Sequence, residues 1–152
     1  MEQPMQGDSS LPTTMSYLLA QVCKLHRQRA DDLLREVGLH VGQEMLLCSL
    51  WEREGVTQTE LSEALGVQPA TVTNALKRLE RKGLVLRVSD AEDQRVSRVS
   101  LTTEGRDMKA VVEERWALLE QASFAGITAP ERDLLRDLLL RVYGNLAGKT
   151  QE

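Results

Sequence analysis

The stretch from Thr57 to Leu101 constrains this chain more than any other, because its pattern fits two short helices, a tight turn and a hairpin. Thr57 or Thr59 can cap a helix carrying Leu61, Ala64 and Leu65 on one face, and Gly66 is its natural stop. Val67 or Gln68 then opens a second helix with Pro69 in the first turn, where the missing N–H costs nothing. Val72, Ala75, Leu76 and Leu79 recur at helical spacing and form a stripe to be buried. Ala70, Thr73, Asn74, Lys77 and Arg78 fall on the opposite side, with Gln68 and Thr71 at its start. That outer face is small and polar first and basic further on. Small polar side chains can approach base edges, whereas Lys and Arg reach phosphates. This is the layout of a helix-turn-helix whose second helix enters a major groove.

The adjoining segment strengthens that reading. Gly83 ends the second helix, and Leu84 to Val88 reads as a strand. A charged loop, SDAEDQR, leads into Val96 to Leu101, which alternates with period two. A hairpin placed directly after a recognition helix is a wing. Its arginines, Arg87, Arg95 and Arg98, are candidates for phosphate contact or for an adjacent minor groove.

The segment ATVTNALKRLERKGLVLR, the D-x-R at Asp93 and Arg95, and VSLTTEGR from Val99 together resemble the multiple-antibiotic-resistance regulator (MarR) family. The resemblance covers nearly the whole chain, and the D-x-R wing followed by L-T-x-x-G is its specific part. It implies a mainly α fold with a small β wing, in which a winged helix-turn-helix is flanked by dimerising helices. In that family the aspartate braces the wing arginine, which reaches the minor groove; here that implies Asp93 bracing Arg95. Asn74 is a departure, since many members carry a longer or basic side chain there.

The charge distribution agrees with the pattern. The chain carries −4 in total, but residues 68–98 hold seven basic and four acidic side chains, a local +3. Local charge decides where phosphate docks. Double-stranded DNA is therefore the expected partner. No apolar run approaches the roughly 20 residues of a bilayer span, and no cleavable leader is visible, so a cytoplasmic chain with no membrane partner is expected.

The rest of the chain divides around this centre. Residues 1–12 read as a flexible arm, and residues 13–38 as a long N-terminal helix from Thr13 or Thr14 to Gly38. Residues 39–101 hold the winged helix-turn-helix, introduced by a short, mostly buried helix over 41–53. Residues 102–152 form two further helices, the first capped by Thr102 or Thr103 and the second by Thr128. The first and last helices carry more apolar surface than the central module can bury. A homodimer that packs them across a two-fold axis would cover it and pair two recognition helices; a monomer that merely covers the winged helix is the alternative.

Catalytic signatures are lacking in the sequence. It has two histidines, no G-x-S-x-G elbow, no phosphate-binding loop and no zinc-finger spacing, so neither enzyme activity nor a cofactor is expected. Asp31-Asp32 and Glu113-Glu114 read as solvated helix faces, and Cys48 as core. Cys23 and His26 share a helix face, which opens a second reading, a redox- or metal-sensing regulator on the same scaffold. A winged helix used only for protein contacts is a third, disfavoured by the basic helix face and the arginine wing. The resemblance also implies a repressor released by a small aromatic or phenolic effector. The crevice for it would lie between the dimerising helices and the winged helix, with Arg27, His40, Trp51 and Trp116 as candidate lining.

Overall fold

The computed structural model describes residues 10–148. Of the expected arm, residues 1–9 lie outside the described residues, and Leu11–Thr13 form a single 3-10 turn. After it come α1 (Met15–Arg35), α2 (Gln43–Glu52), β1 (Val56–Thr57), α3 (Gln58–Leu65), α4 (Pro69–Arg81), β2 (Val85–Ser89), β3 (Ser97–Leu101), α5 (Thr103–Ser123) and α6 (Ala129–Leu146). The described residues separate into two compact units that divide between Leu119 and Glu120. The fold is mainly α with a small β wing, as expected.

In the larger unit, Thr14 caps α1 by accepting the Tyr17 N–H at 3.2 Å. The helix ends at Arg35, short of the expected Gly38, because the chain wraps back on its last turn. The Leu39 N–H reaches the Leu34 carbonyl at 2.9 Å, a closure made possible by the left-handed Gly38 (φ 77°). Helix α2 starts behind Gly42, which has no side chain to cap it, and Glu44 substitutes by accepting the Gly42 N–H at 2.7 Å. Glu44 is buried, and that burial raises its carboxyl pKa. Leu46, Leu47 and Leu50 point into the core while Met45 stays exposed, so α2 is shorter and less enclosed than its composition suggests.

Helices α3 and α4 form the helix-turn-helix. Thr57 closes a capping box with Glu60, and Gly66 ends α3 in the left-handed conformation. The buried face of α3 is not quite the expected one. Leu61 and Ser62 are buried and Ala64 is exposed, because Leu61, Ser62 and Leu65 share the arc turned toward the core. The Ser62 hydroxyl is satisfied by donating to the Val67 carbonyl at 2.6 Å. Along α4, Val72, Leu76 and Leu79 are buried and Ala75 is partly so, as their spacing predicts.

The sheet has an extra strand that the alternation pattern does not show. β1 is two residues long and pairs with β3, Val56 opposite Val99 and Thr57 opposite Arg98. With β2 on the other side, β3 is the central strand in the order β1-β3-β2. Thr102 caps α5 by accepting the Gly105 N–H at 3.0 Å, and its hydroxyl donates to the Gly83 carbonyl at 2.6 Å. Trp51 adds a bond from its indole N–H to the Gly105 carbonyl at 2.9 Å. Helix α5 is thereby fastened to the base of the wing. Ala30 and Leu33 of α1 pack with Leu119 of α5 in a second, smaller cluster.

In the smaller unit, the Thr128 N–H and hydroxyl both donate to the Glu131 carboxylate at 2.8 Å at the start of α6. Arg132 donates to the Phe124 and Ile127 carbonyls at 2.8 and 3.0 Å, closing the turn before the helix. No residue of α6 is buried, and Leu134, Leu138, Leu140 and Leu146 are all open.

Candidate nucleic-acid interface

Packing decides which side chains of α4 are available. With Val72, Leu76 and Leu79 turned inward, Gln68, Ala70, Thr71, Asn74, Lys77 and Arg78 are exposed. Lys77 and Arg78 make no side-chain hydrogen bond or ion pair among the described residues, so their charge is unpaired. Thr73 differs. Its hydroxyl donates to the Pro69 carbonyl at 2.9 Å and accepts from the Gln58 side-chain amide, which locks α3 onto α4. Thr73 therefore braces the helix pair rather than presenting an open hydroxyl.

The wing arginines separate in the same way. Arg87 pairs with Glu80 of α4 at 2.9 Å and lies 3.4 Å from the Gln58 side-chain carbonyl oxygen. Arg98 is bound to Asp90, to the Gly55 carbonyl at 3.0 Å and, more loosely, to Glu60 at 3.9 Å. The Arg98 guanidinium and two backbone N–H groups hold the Asp90 carboxyl down at about 2. Arg95 is exposed at the loop, and its guanidinium has no partner among the described residues.

The expected brace is correspondingly different in kind. The Asp93 carboxylate accepts the backbone N–H of Arg95 at 3.0 Å and does not pair with its guanidinium. The ion pair of the wing is Asp90 with Arg98, three residues earlier and three residues later than the D-x-R motif itself. Asp90 reads in the sequence as one more loop acid. Its eight-residue separation from Arg98 across a hairpin is the signal that could have found it.

The four candidate crevice residues fall into two hollows. Arg27 and His40 line one of about 490 Å³, with Val41, Met45 and Leu46 beneath and Thr71, Asn74 and Arg78 of α4 along its flank. Trp51 and Trp116 line another of about 340 Å³ between α2 and α5, with Cys48 and Val112. Cys48 is thus half-buried at a hollow rather than sealed in the core, and burial pushes its thiol up. Cys23 is exposed on α1, and His26 leans toward Trp116 with ring centres 6.2 Å apart. No group of three or more metal-ligating side chains is assembled among the described residues.

The wall of the first hollow is held by a relay. Asp31 of α1 accepts the Val41 N–H at 3.1 Å, which lowers its carboxyl pKa, with Arg35 and His40 adding to that effect. The buried Gln43 side-chain oxygen accepts the His40 N–H at 3.2 Å and the Lys82 ammonium at 3.1 Å. Lys82 also donates to the Gly38 carbonyl, so the end of α4 is tied to the α1–α2 loop. Burial and the neighbouring Arg78 lower the Lys82 pKa. This polar tie across the base of α4 could not be read from sequence, since Lys82 and Gly38 are 44 residues apart.

This arrangement has close counterparts. Residues 39–97 match the MarR family pattern. An uncharacterized HTH-type transcriptional regulator of Bacillus subtilis (strain 168) is 34% identical over 101 residues, 66% of this chain and 62% of that protein's length. The organic hydroperoxide resistance transcriptional regulator of the same organism is 31% identical over 99 residues, 65% of this chain and 67% of that one. Among solved structures, the S. aureus MepR–DNA complex superposes with a TM-score of 0.77 at 28% identity, covering 87% of this chain and 98% of the other. The helix-turn-helix, the wing and these likenesses agree, and the chain belongs to the MarR family of transcriptional regulators, not to a family of enzymes.

Proposed function

We propose that this protein is a sequence-specific binder of double-stranded DNA, a homodimeric repressor whose hold on a pseudo-palindromic operator is released by a small effector. The observation that carries it is the division of α4. Its inner stripe is buried, and its outer face presents Ala70, Thr71 and Asn74 ahead of the unpaired Lys77 and Arg78. Beside it the wing carries an unpaired Arg95. Short polar groups suit base edges, the two cations suit phosphate, and a free guanidinium suits a narrow minor groove. The DNA in the MepR complex supports the same use of the same fold.

The dimer rests on exposed apolar side chains at the two ends of the sequence. Met15, Leu18, Val22 and Leu25 of α1 are open, as are Leu134, Leu138, Leu139, Leu140 and Leu146 of α6. Apolar surface on that scale marks an interface, and a second copy is the partner that would also place two recognition helices one DNA turn apart. An aromatic or phenolic acid fits the hollow of Arg27 and His40, a guanidinium and an imidazole above an apolar floor. Since Asn74 and Arg78 form its flank, an occupant there would compete with their use on DNA.

The test begins with selection of bound duplexes from a random pool, followed by anisotropy titrations. Lys77→Ala should weaken binding to all sequences and lower the salt slope by roughly one unit. Asn74→Ala should cost about 1–3 kcal/mol on the selected site and little on others. Equal effects of both changes on all sequences would contradict the assignment of the face, and failure to enrich any duplex would sink the reading.

A further inference from the structure

We propose that Arg98 is a positioning residue, which sets the wing against the helix-turn-helix so that Arg95 is presented to DNA in one register. This deepens the DNA-binding reading and rests on it.

Arg98 occupies the centre of the sheet, opposite Thr57 of β1 on one side and Val88 of β2 on the other. Its guanidinium takes hold of two parts of the chain at once. Outward, Nε donates to Asp90 at the base of the wing loop. Inward, Nη1 donates to the Gly55 carbonyl at 3.0 Å and stands 3.9 Å from Glu60. Glu60 completes the capping box that Thr57 opens at the start of α3, accepting the Thr57 N–H at 2.7 Å. Helix α3 is in turn fastened to α4 through Gln58 and Thr73.

From Asp90 the connection runs on to Arg95 by backbone bonds. Asp90 accepts the N–H groups of Glu92 and Asp93 at 2.8 and 3.0 Å. Asp93 accepts the Arg95 N–H at 3.0 Å. The Val96 N–H closes the loop on the Asp93 carbonyl, and the Asp90 N–H on the Val96 carbonyl, both at 2.9 Å. Each backbone position from Asp90 to Val96 that matters for aiming Arg95 is therefore referred, through Asp90 and Arg98, to the start of α3.

Two features argue against the simpler role of Arg98 as a phosphate contact. Its guanidinium is directed to protein acceptors on both sides, and its charge is offset by Asp90 and Glu60. Arg95, with no such partners, keeps both its donors and its charge. A planar, forked guanidinium suits the pinning role because it can satisfy a carboxylate and a carbonyl in different directions at once, which an ammonium on a flexible stem cannot do as rigidly. Holding the loop in its bound form before DNA arrives reduces the ordering cost of binding.

A double-mutant cycle on the full-length protein tests this. Arg98→Met and Arg95→Ala are made singly and together, and affinity for the selected duplex is read by anisotropy beside the melting temperature. Each single change should weaken binding about tenfold, and Arg98→Met should cost less than about twofold where Arg95 is already Ala. The salt slope should fall by about one for Arg95→Ala and stay unchanged for Arg98→Met. Additive losses, or a lower salt slope for Arg98→Met, would make Arg98 a direct contact and overturn the proposal. So would full affinity in Arg98→Met. Should Arg98→Met melt well below the parent, Asp90→Asn breaks the same pin from the loop side and must show the same dependence on Arg95. If the unaltered protein enriches no duplex, the DNA-binding reading fails first, an outcome distinct from normal binding that ignores Arg98.

Discussion

Gly105 supplies the sharpest test of the packing. It lies in the first turn of α5, where a Gly→Ala change ordinarily stabilises a helix by about 1 kcal/mol. Its φ is not in the positive range, so no backbone preference opposes alanine. The surroundings do. A Cβ at this position would fall well inside 3.0 Å of the Leu84 carbonyl oxygen, 3.0 Å from the carbonyl carbon and 3.2 Å from the Leu101 side chain. The obstacle is mostly backbone, which cannot swing aside as the end of a side chain can. To admit the methyl group, α5 must retreat by something on the order of an ångström, an overpacking cost of about 1–3 kcal/mol. The same retreat stretches the Thr102 N–H bond to the Leu84 carbonyl (3.1 Å) and the indole bond of Trp51 to the Gly105 carbonyl (2.9 Å), about 1 kcal/mol each. Set against the helical gain, Gly105→Ala should destabilise by about 2–4 kcal/mol, lowering Tm by roughly 4–16 °C. Thermal and urea melts followed by far-UV circular dichroism read this directly. A variant as stable as the parent, or more so, would refute the close approach of α5 to Leu84.

The buried and exposed extremes of the chain lead to two further outcomes. Burial raises the Glu44 pKa, so the folded state keeps this proton after the unfolded chain has lost it near its ordinary value of 4.5. That contribution to stability is fully present below 4.5 and declines as pH rises through the folded pKa. Glu44→Gln should flatten this decline in urea melts between about pH 4 and 8, and identical pH profiles for the two proteins would contradict it. The dimer proposal requires the protein to sediment at about twice 17.0 kDa, and Leu138→Glu, on the open face of α6, to shift it toward the monomer. A monomeric parent at micromolar concentration would remove the basis for paired recognition helices.

Much of the helix-turn-helix and its wing is legible in the sequence because it is written in short-range rules. The Thr57 capping box, the left-handed Gly66, Pro69 in the first turn and the stripe of Val72, Leu76 and Leu79 each involve residues within about three turns of one another. The alternation in β3 places the wing by the same local logic. What only the tertiary structure decided lies between residues distant in the chain. The pairing of β1 with β3 joins Val56 to Val99, and the Trp51 bond to Gly105 spans 54 positions. The division of Arg27 and His40 from Trp51 and Trp116 into two hollows depends on how α1, α2 and α5 pack, which no periodicity encodes. The wing shows the difference most directly. Sequence motifs identify Arg95 and Asp93 as neighbours, yet the carboxylate that meets a guanidinium is Asp90, and that guanidinium belongs to Arg98. Nearness along the chain determines which residues share a turn. Strand register and helix packing determine which charges meet, because an ion pair needs its two groups within a few ångströms, and only the folded backbone sets that distance.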